Sequence, residues 1–428
     1  MKICTSLKNA CGSVLSVSSK SDIHRILICA ALSDKQTEIA LNSLSRDIYA
    51  TSECLTALGA KIDISERKII VTPISSAVSS PRLNCCESGS TLRFLLPVAA
   101  AVSENPSFFG EGRLPSRPLN PLISQLEEHG CNFSSHSLPL TVSHKPRSGI
   151  YKLPGDISSQ FVSGLLFALP LLDGDSEIRL LSSLESAPYV DMTISSLKKF
   201  GIEIQKTSDG FFVKGNQKYV SPQKIAAEGD WSNSAPLFVL GAISGSVTVF
   251  GLSRSSIQGD RNILSVLSDF GAEITYQKEN AIESGELSEV TVKTDKKQPF
   301  SADVSQTPDL FPYLAVLALA AKGTSTITGA KRLKIKESDR IRAVLSLIRA
   351  LGGSASYDPT GTLTVNGCGT ISGGKCDSFS DHRIAMAAAV ASAISDSPVT
   401  IDRFEAIEKS YPTFLEHFKA LGGKLHKI

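Results

Sequence analysis

Six short segments of this chain gather hydroxyl, cationic and carboxylate side chains immediately ahead of an apolar run: Ser18-Ser19-Lys20-Ser21-Asp22-Ile23-His24-Arg25, Glu87-Ser88-Gly89-Ser90-Thr91-Leu92-Arg93, Ser158-Ser159-Gln160-Phe161, Glu228-Gly229-Asp230, Pro308-Asp309 and Ser380-Asp381-His382-Arg383. A run of this kind predicts a helix, and the start of a helix offers backbone N–H groups and a positive dipole end to an anion. Taken singly, a Ser or Asp in such a place is most often just an N-cap. A second group of polar segments adds Arg113 and Arg117, Ser186 and Tyr189, Lys336-Glu337-Ser338-Asp339-Arg340, and Lys409. Lys336 and Arg340 are four apart, which predicts one shared helical face. If these starts converge, they form a site rich in cations and hydroxyls with two candidate acid/base carboxylates, Asp309 and Glu337. Such a site suits two small, multiply charged anions. The sequence contains no His pair at metal-ligand spacing and no Walker-type phosphate loop, so metal-dependent hydrolysis is not expected.

A repeat positions these segments. Six amphipathic runs end in a hydrophobic residue or His followed by Gly, at Gly59, Gly130, Gly201, Gly271, Gly352 and Gly422, with spacings of 71, 71, 70, 81 and 70 residues. Each Gly fits the left-handed position just past a helix end, as after Ile341, Val344, Leu345, Ile348 and Leu351. Upstream of each lies a more uniformly apolar run, at 25–32, 92–102, 161–172, 236–243, 312–321 and 384–394, which composition marks as a buried helix. Strand-like segments at 37–41, 177–181, 246–250, 324–328 and 398–401 separate the two helices, and further strands follow each Gly. The unit is therefore βαβαββ, about 70 residues long. The 428 residues exceed the ~250–300 over which a single core grows, so two domains of three units are expected, with a break near 223–229, just past Ser221-Pro222.

Composition excludes several classes. Lys and Arg number 44 against 42 Asp and Glu, giving a net charge of +2; no broad positive field exists to draw the chain onto nucleic acid or an anionic membrane. The nine cysteines show neither a disulfide framework nor zinc spacing. Residues 1–20 lack the apolar core of a secretion signal, and the longest apolar stretch is too short to span a bilayer. A cytoplasmic, monomeric protein is the expectation.

The segments Lys20-Ser21-x-x-x-Arg25, Glu-Ser-Gly-Ser-Thr-x-Arg93, Ser158-Ser159-Gln160, Lys336-Glu337-Ser338-Asp339-Arg340 and Asp381-His382-Arg383, taken in order over essentially the whole chain, resemble the 5-enolpyruvylshikimate-3-phosphate synthase family. The resemblance implies a two-domain inverse α/β barrel of the enolpyruvyl transferases with three βαβαββ units per domain: residues 1–15 plus 225–428 in one, 16–224 in the other, the first strand joining the C-terminal domain. It implies transfer of the enolpyruvyl group of phosphoenolpyruvate to the 5-hydroxyl of shikimate 3-phosphate, through a tetrahedral ketal, with release of phosphate and no metal or organic cofactor. Phosphoenolpyruvate is then expected on Lys20, Gly89, Arg117, Gln160, Arg340, Arg383 and Lys409. Shikimate 3-phosphate is expected on Lys20, Ser21, Arg25, Ser158, Ser159, Ser186, Asp309 and Lys336. Asp309 is assigned the 5-hydroxyl proton, and Glu337 with Lys20 the proton exchanged at the methylene carbon. Lys20, Arg25, Arg117, Lys336, Arg340, Arg383 and Lys409, less the two carboxylates, leave about +5 to meet the roughly −5 to −6 of the substrates. The chain departs from the family pattern at Glu87, where Asn is frequent, at Phe94, where Pro is frequent, and at Arg332, where a substrate-contacting Asn is common. Gly89 is retained, which implies sensitivity to the family inhibitor glyphosate. Cys85 and Cys86 beside it read as buried structural thiols.

Two other readings stand against this one. The sister enzyme that uses UDP-N-acetylglucosamine carries a cysteine proton donor on the loop at 110–118, and this chain has none there. A non-catalytic repeat protein that binds a polyanion gains nothing from carboxylates placed among its cations, and the chain lacks the aromatic interleaving of a nucleic-acid binder.

Overall fold

The computed structural model describes residues 1–278 and 287–428. The helices among the described residues are α1 (Lys20–Leu32), α2 (Arg46–Ala57), α3 (Gly89–Val102), α4 (Leu122–Glu128), α5 (Ser159–Ala168), α6 (Ala187–Lys199), α7 (Trp231–Ser244), α8 (Ile263–Phe270), α9 (Phe311–Ala320), α10 (Arg340–Ala350), α11 (His382–Ala391) and α12 (Phe414–Ala420). They alternate between two kinds. The odd-numbered helices are buried over most of their length, and α9 and α11 over every residue. The even-numbered ones are amphipathic: α10 buries Ile341, Val344, Leu347 and Ile348 and exposes Arg342 and Arg349. All six repeat glycines have positive φ, from 77° to 117°, where a side chain would strain the backbone.

The strands form six four-stranded sheets with one repeated order. In the third repeat Ile150–Leu153 runs parallel to Ser176–Leu180, which pairs antiparallel with Gly210–Val213, itself antiparallel to Ile204–Lys206. The parallel pair needs a crossover, and α5 supplies it. Three sheets borrow a strand from elsewhere in the sequence. Ile3–Ser6 lies between Val399–Asp402 and Lys424–Lys427, Ala10–Leu15 is the parallel neighbour of Gly245–Ser253, and Lys224–Ala226 is the parallel neighbour of Thr37–Ala40.

Two compact units result, Met1–Ser19 with Glu228–Ile428, and Lys20–Ala227, each with its own hydrophobic core. In each, the apolar helices pack on one another and on the inner faces of the sheets, so helices lie inside and strands outside, the inverse of a conventional α/β barrel. Among the described residues no helix is long and apolar enough to cross a membrane.

Candidate active site

In the 20–227 unit the polar residues come together at the starts of the helices. Lys20 is the first residue of α1, and its Nζ lies 2.7 Å from Asp47 Oδ2 at the start of α2. Arg25, one turn further, is buried. Its Nε donates to Thr193 Oγ1 at 2.9 Å, its Nη2 to the Tyr189 carbonyl at 2.7 Å and its Nη1 to the Ser21 carbonyl, which ties α1 to α6. Burial lowers its pKa to about 10 despite the opposing charge of Asp22, so it stays protonated at neutral pH. Ser186, the N-cap of α6, sits in the left-handed region at φ 55°.

A second cluster joins α3 and α5. Ser88 caps α3 by accepting from the Thr91 N–H, and Gly89 is the first helical residue. A Cβ placed on Gly89 would lie 2.5 Å from Arg117 Nη1 and 2.9 Å from Arg93 Nη1, so two guanidinium groups approach the backbone closely enough that a larger residue would push one of them away. Arg93 Nη1 donates to Gln160 Oε1 at 2.9 Å, and Gln160 Nε2 donates to Ser90 Oγ at 2.9 Å. The sequence motif that contains Arg93 gives it no substrate of its own. The structure makes it the residue that orients Gln160. Ser158 caps α5 through the Gln160 N–H, and Ser159 is buried beside it.

The 228–428 unit holds the carboxylates. Arg340, 1% exposed, is the centre of the cluster: Nη1 meets Asp309 Oδ1 at 2.6 Å, Nη2 meets Glu337 Oε2 at 2.8 Å and Nε meets Asp381 Oδ2 at 2.9 Å. Arg383 Nη2 reaches the other oxygen of Asp309 at 2.9 Å. Asp309 precedes α9, Asp381 is the N-cap of α11 through the Arg383 N–H, and Asp339 is the N-cap of α10. The last two repeats thus deliver three helix starts, those of α9, α10 and α11, to one cluster. Against the burial that would raise it, Arg383, Arg340 and Lys336 hold the Asp309 carboxyl far below the usual carboxylate range. Burial lowers Lys336 to about 8, with Asp309 opposing and Arg332 adding to the fall.

The structure corrects some sequence expectations. Lys336 and Arg340 do not share a helical face. Lys336 ends the 3-10 turn Lys331–Ile335 in extended conformation, and the Asp339 side chain, accepting from the Arg342 N–H, starts the helix only at Arg340. Asp309 brings the two cations together instead, through Arg340 directly and as the first favourable charge on Lys336. Asp230, Asp381, Ser88 and Ser158 are N-caps, so much of the polar character of those helix starts serves the helices themselves. Cys85 is buried but Cys86 is only half-buried, at φ 47°; burial raises its thiol to about 11, well short of a reactive thiolate. Phe94, at a family departure, is buried against Phe167 and lies 5.1 Å below the Arg25 guanidinium. Arg332, at another, donates to the Ser305 carbonyl at 2.6 Å. Lys409 ends the 3-10 segment Phe404–Lys409, which packs against α11, the helix that carries Arg383.

The architecture is that of the enolpyruvyl transferases. An EPSP synthase from Acinetobacter baumannii superposes with a TM-score of 0.83 over 100% of both chains at 23% identity, and the enolpyruvyl transferase NikO from Streptomyces tendae with 0.78 over 99% of this chain and 98% of its own at 15% identity. Within that class, the sequence profile of EPSP synthase (3-phosphoshikimate 1-carboxyvinyltransferase) matches residues 5–418. The 3-phosphoshikimate 1-carboxyvinyltransferase of Clostridium kluyveri is 43% identical over 95% of this chain and 94% of its own. That of Methanocorpusculum labreanum is 36% identical over the full length of both. The chain belongs to the EPSP synthase family.

Proposed function

We propose that this chain transfers the enolpyruvyl group of phosphoenolpyruvate to the 5-hydroxyl of shikimate 3-phosphate and releases phosphate, acting as a monomer. The observation that carries the reading is the Asp309 carboxylate held between Arg340 and Arg383, with Glu337 on the third arm of the same cluster. Cations alone would bind anions; two carboxylates set among them supply proton transfer.

In this reading Lys20, Gly89, Arg117, Gln160, Arg340, Arg383 and Lys409 bind phosphoenolpyruvate. Ser21, Arg25, Ser158, Ser159 and Ser186, with Lys20, Lys336 and Asp309, bind shikimate 3-phosphate. The planar guanidinium forks match carboxylate and phosphate oxygens. Glu337, with Lys20, protonates the methylene carbon of phosphoenolpyruvate, which makes its C2 electrophilic. The 5-hydroxyl adds to C2 while Asp309 takes its proton. The tetrahedral ketal then loses phosphate as the methyl group returns a proton to Glu337, and the vinyl double bond reforms.

Asp309 is a poor base while two guanidinium groups hold it ionised. Anionic substrates that engage Arg340 and Arg383 draw off that positive field and raise its pKa, so the base is activated when the site is filled. The same cluster is proposed to admit glyphosate in competition with phosphoenolpyruvate. The direct test mixes the protein with phosphoenolpyruvate and either shikimate 3-phosphate or UDP-N-acetylglucosamine and measures phosphate. Release with shikimate 3-phosphate alone is expected; release only with the nucleotide sugar, or with neither, would refute the reading.

A further inference from the structure

Tyr313 lies one helical turn beyond Asp309, on α9. Its side chain has 0% exposure, and among the described residues its hydroxyl makes no well-formed hydrogen bond, approaching Arg383 only loosely. A buried, unpaired hydroxyl is costly, and phenylalanine would fill the same volume without it. Arg383 shows a matching deficiency. Its Nη2 donates to Asp309 at 2.9 Å, whereas Nε and Nη1 are buried and without an acceptor among the described residues. The two are neighbours: burial raises the Tyr313 pKa, and Arg383 is the charge that most opposes the rise, while Tyr313 follows only Asp309 among the groups that favour the charged Arg383.

We propose that Tyr313 is a positioning residue for Arg383, its phenolic oxygen accepting from the Nε/Nη1 edge of the guanidinium when Asp309 loosens its hold. The inference rests on the roles given above to Asp309 and Arg383. Asp309 binds Arg383 as a carboxylate, and a phosphoenolpyruvate anion arriving on Arg383 competes with it for the guanidinium donors. A buried guanidinium then needs another acceptor behind it if its remaining donors are to stay aimed at the phosphoenolpyruvate anion. The phenolic oxygen has the lone pairs and the position. Tyr313 touches no substrate in this scheme and acts only through Arg383.

The test is Tyr313→Phe, which removes one oxygen and keeps the packing, measured beside the wild type by steady-state phosphate release and thermal melting. The expected result is a KM for phosphoenolpyruvate raised about 10-fold or more, a KM for shikimate 3-phosphate within twofold, and a melting temperature that does not fall. In an Arg383→Lys background the same change is expected to alter the KM for phosphoenolpyruvate less than twofold. An unchanged KM for phosphoenolpyruvate would overturn the inference. So would an equal rise in both KM values with a lower melting temperature, which would mark a packing role, or a full effect in the Arg383→Lys background. A wild type that releases no phosphate with shikimate 3-phosphate would overturn the functional reading itself, and this inference with it.

Discussion

Replacing Gly89 with Ala tests the geometry at the start of α3 most sharply. The added methyl carbon would lie 2.5 Å from Arg117 Nη1 and 3.0 Å from its Cζ, where ordinary contact begins at 3.4 Å, so the guanidinium must withdraw by roughly 1 Å. Arg93, 2.9 Å from the same point, is fixed by Gln160 and the Pro118 carbonyl, so Arg117 takes most of the displacement. The backbone does not resist, since Gly89 is not among the positive-φ residues and alanine favours a helix by up to about 1 kcal/mol over glycine. A displacement near 1 Å in a group that orients a substrate can cost on the order of 100-fold. The variant is therefore expected to fold with an undiminished melting temperature and to raise the KM for phosphoenolpyruvate roughly 10- to 100-fold, with shikimate 3-phosphate affected less than threefold. Steady-state phosphate release at varied concentrations of each substrate reads both. An unchanged KM for phosphoenolpyruvate would remove Arg117 from that substrate's site.

Other perturbations probe other parts of the account. Lys336, lowered to about 8, is cationic below that pH and neutral above it. The KM for shikimate 3-phosphate should be flat near pH 7 and rise up to about 10-fold per unit above pH 8, and Lys336→Arg should remove the inflection; a wild-type profile flat to pH 9.5 contradicts this. Arg340→Ala strands Asp381, 0% exposed, beside Ser338 and, at 3.9 Å, His382, and should cost about 3 to 5 kcal/mol, read as a lowered urea midpoint; a loss below about 1 kcal/mol would contradict the central place given to Arg340. Burial, with Lys20 and Arg25, holds His24 well below 6.5. Below about pH 6.5 the unfolded chain takes up a proton that the folded state refuses, so stability falls as pH falls. His24→Asn should show a smaller drop in melting temperature between pH 7 and 5, and an equal drop would mean that other groups set the slope.

The repeat was legible because each unit ends in a local device. A left-handed position after a helix selects glycine whatever the tertiary context, and so Gly59 through Gly422 mark the architecture in the sequence alone. Uniformly apolar runs likewise identified α9 and α11 as interior helices. What depends on partners distant in sequence was less accessible. Lys336 and Arg340 have helical spacing, yet the Asp339 cap starts the helix between them. Arg93 is unremarkable by type, and only the approach of α3 to α5 reveals that it orients Gln160. Tyr313 lies in a run read as plain core; its unpaired hydroxyl emerges only when the neighbours are placed.

The central claim is that Asp309 and Glu337 perform proton transfer among cations that bind the substrates. Phosphate release by Asp309→Asn and Glu337→Gln, with phosphoenolpyruvate and shikimate 3-phosphate binding measured on the same samples by calorimetry, tests it most directly. The account expects kcat to fall about 100- to 10,000-fold in each variant, with both substrates still bound. Turnover near the wild-type rate in both variants would contradict it and leave the cluster an anion-binding site alone.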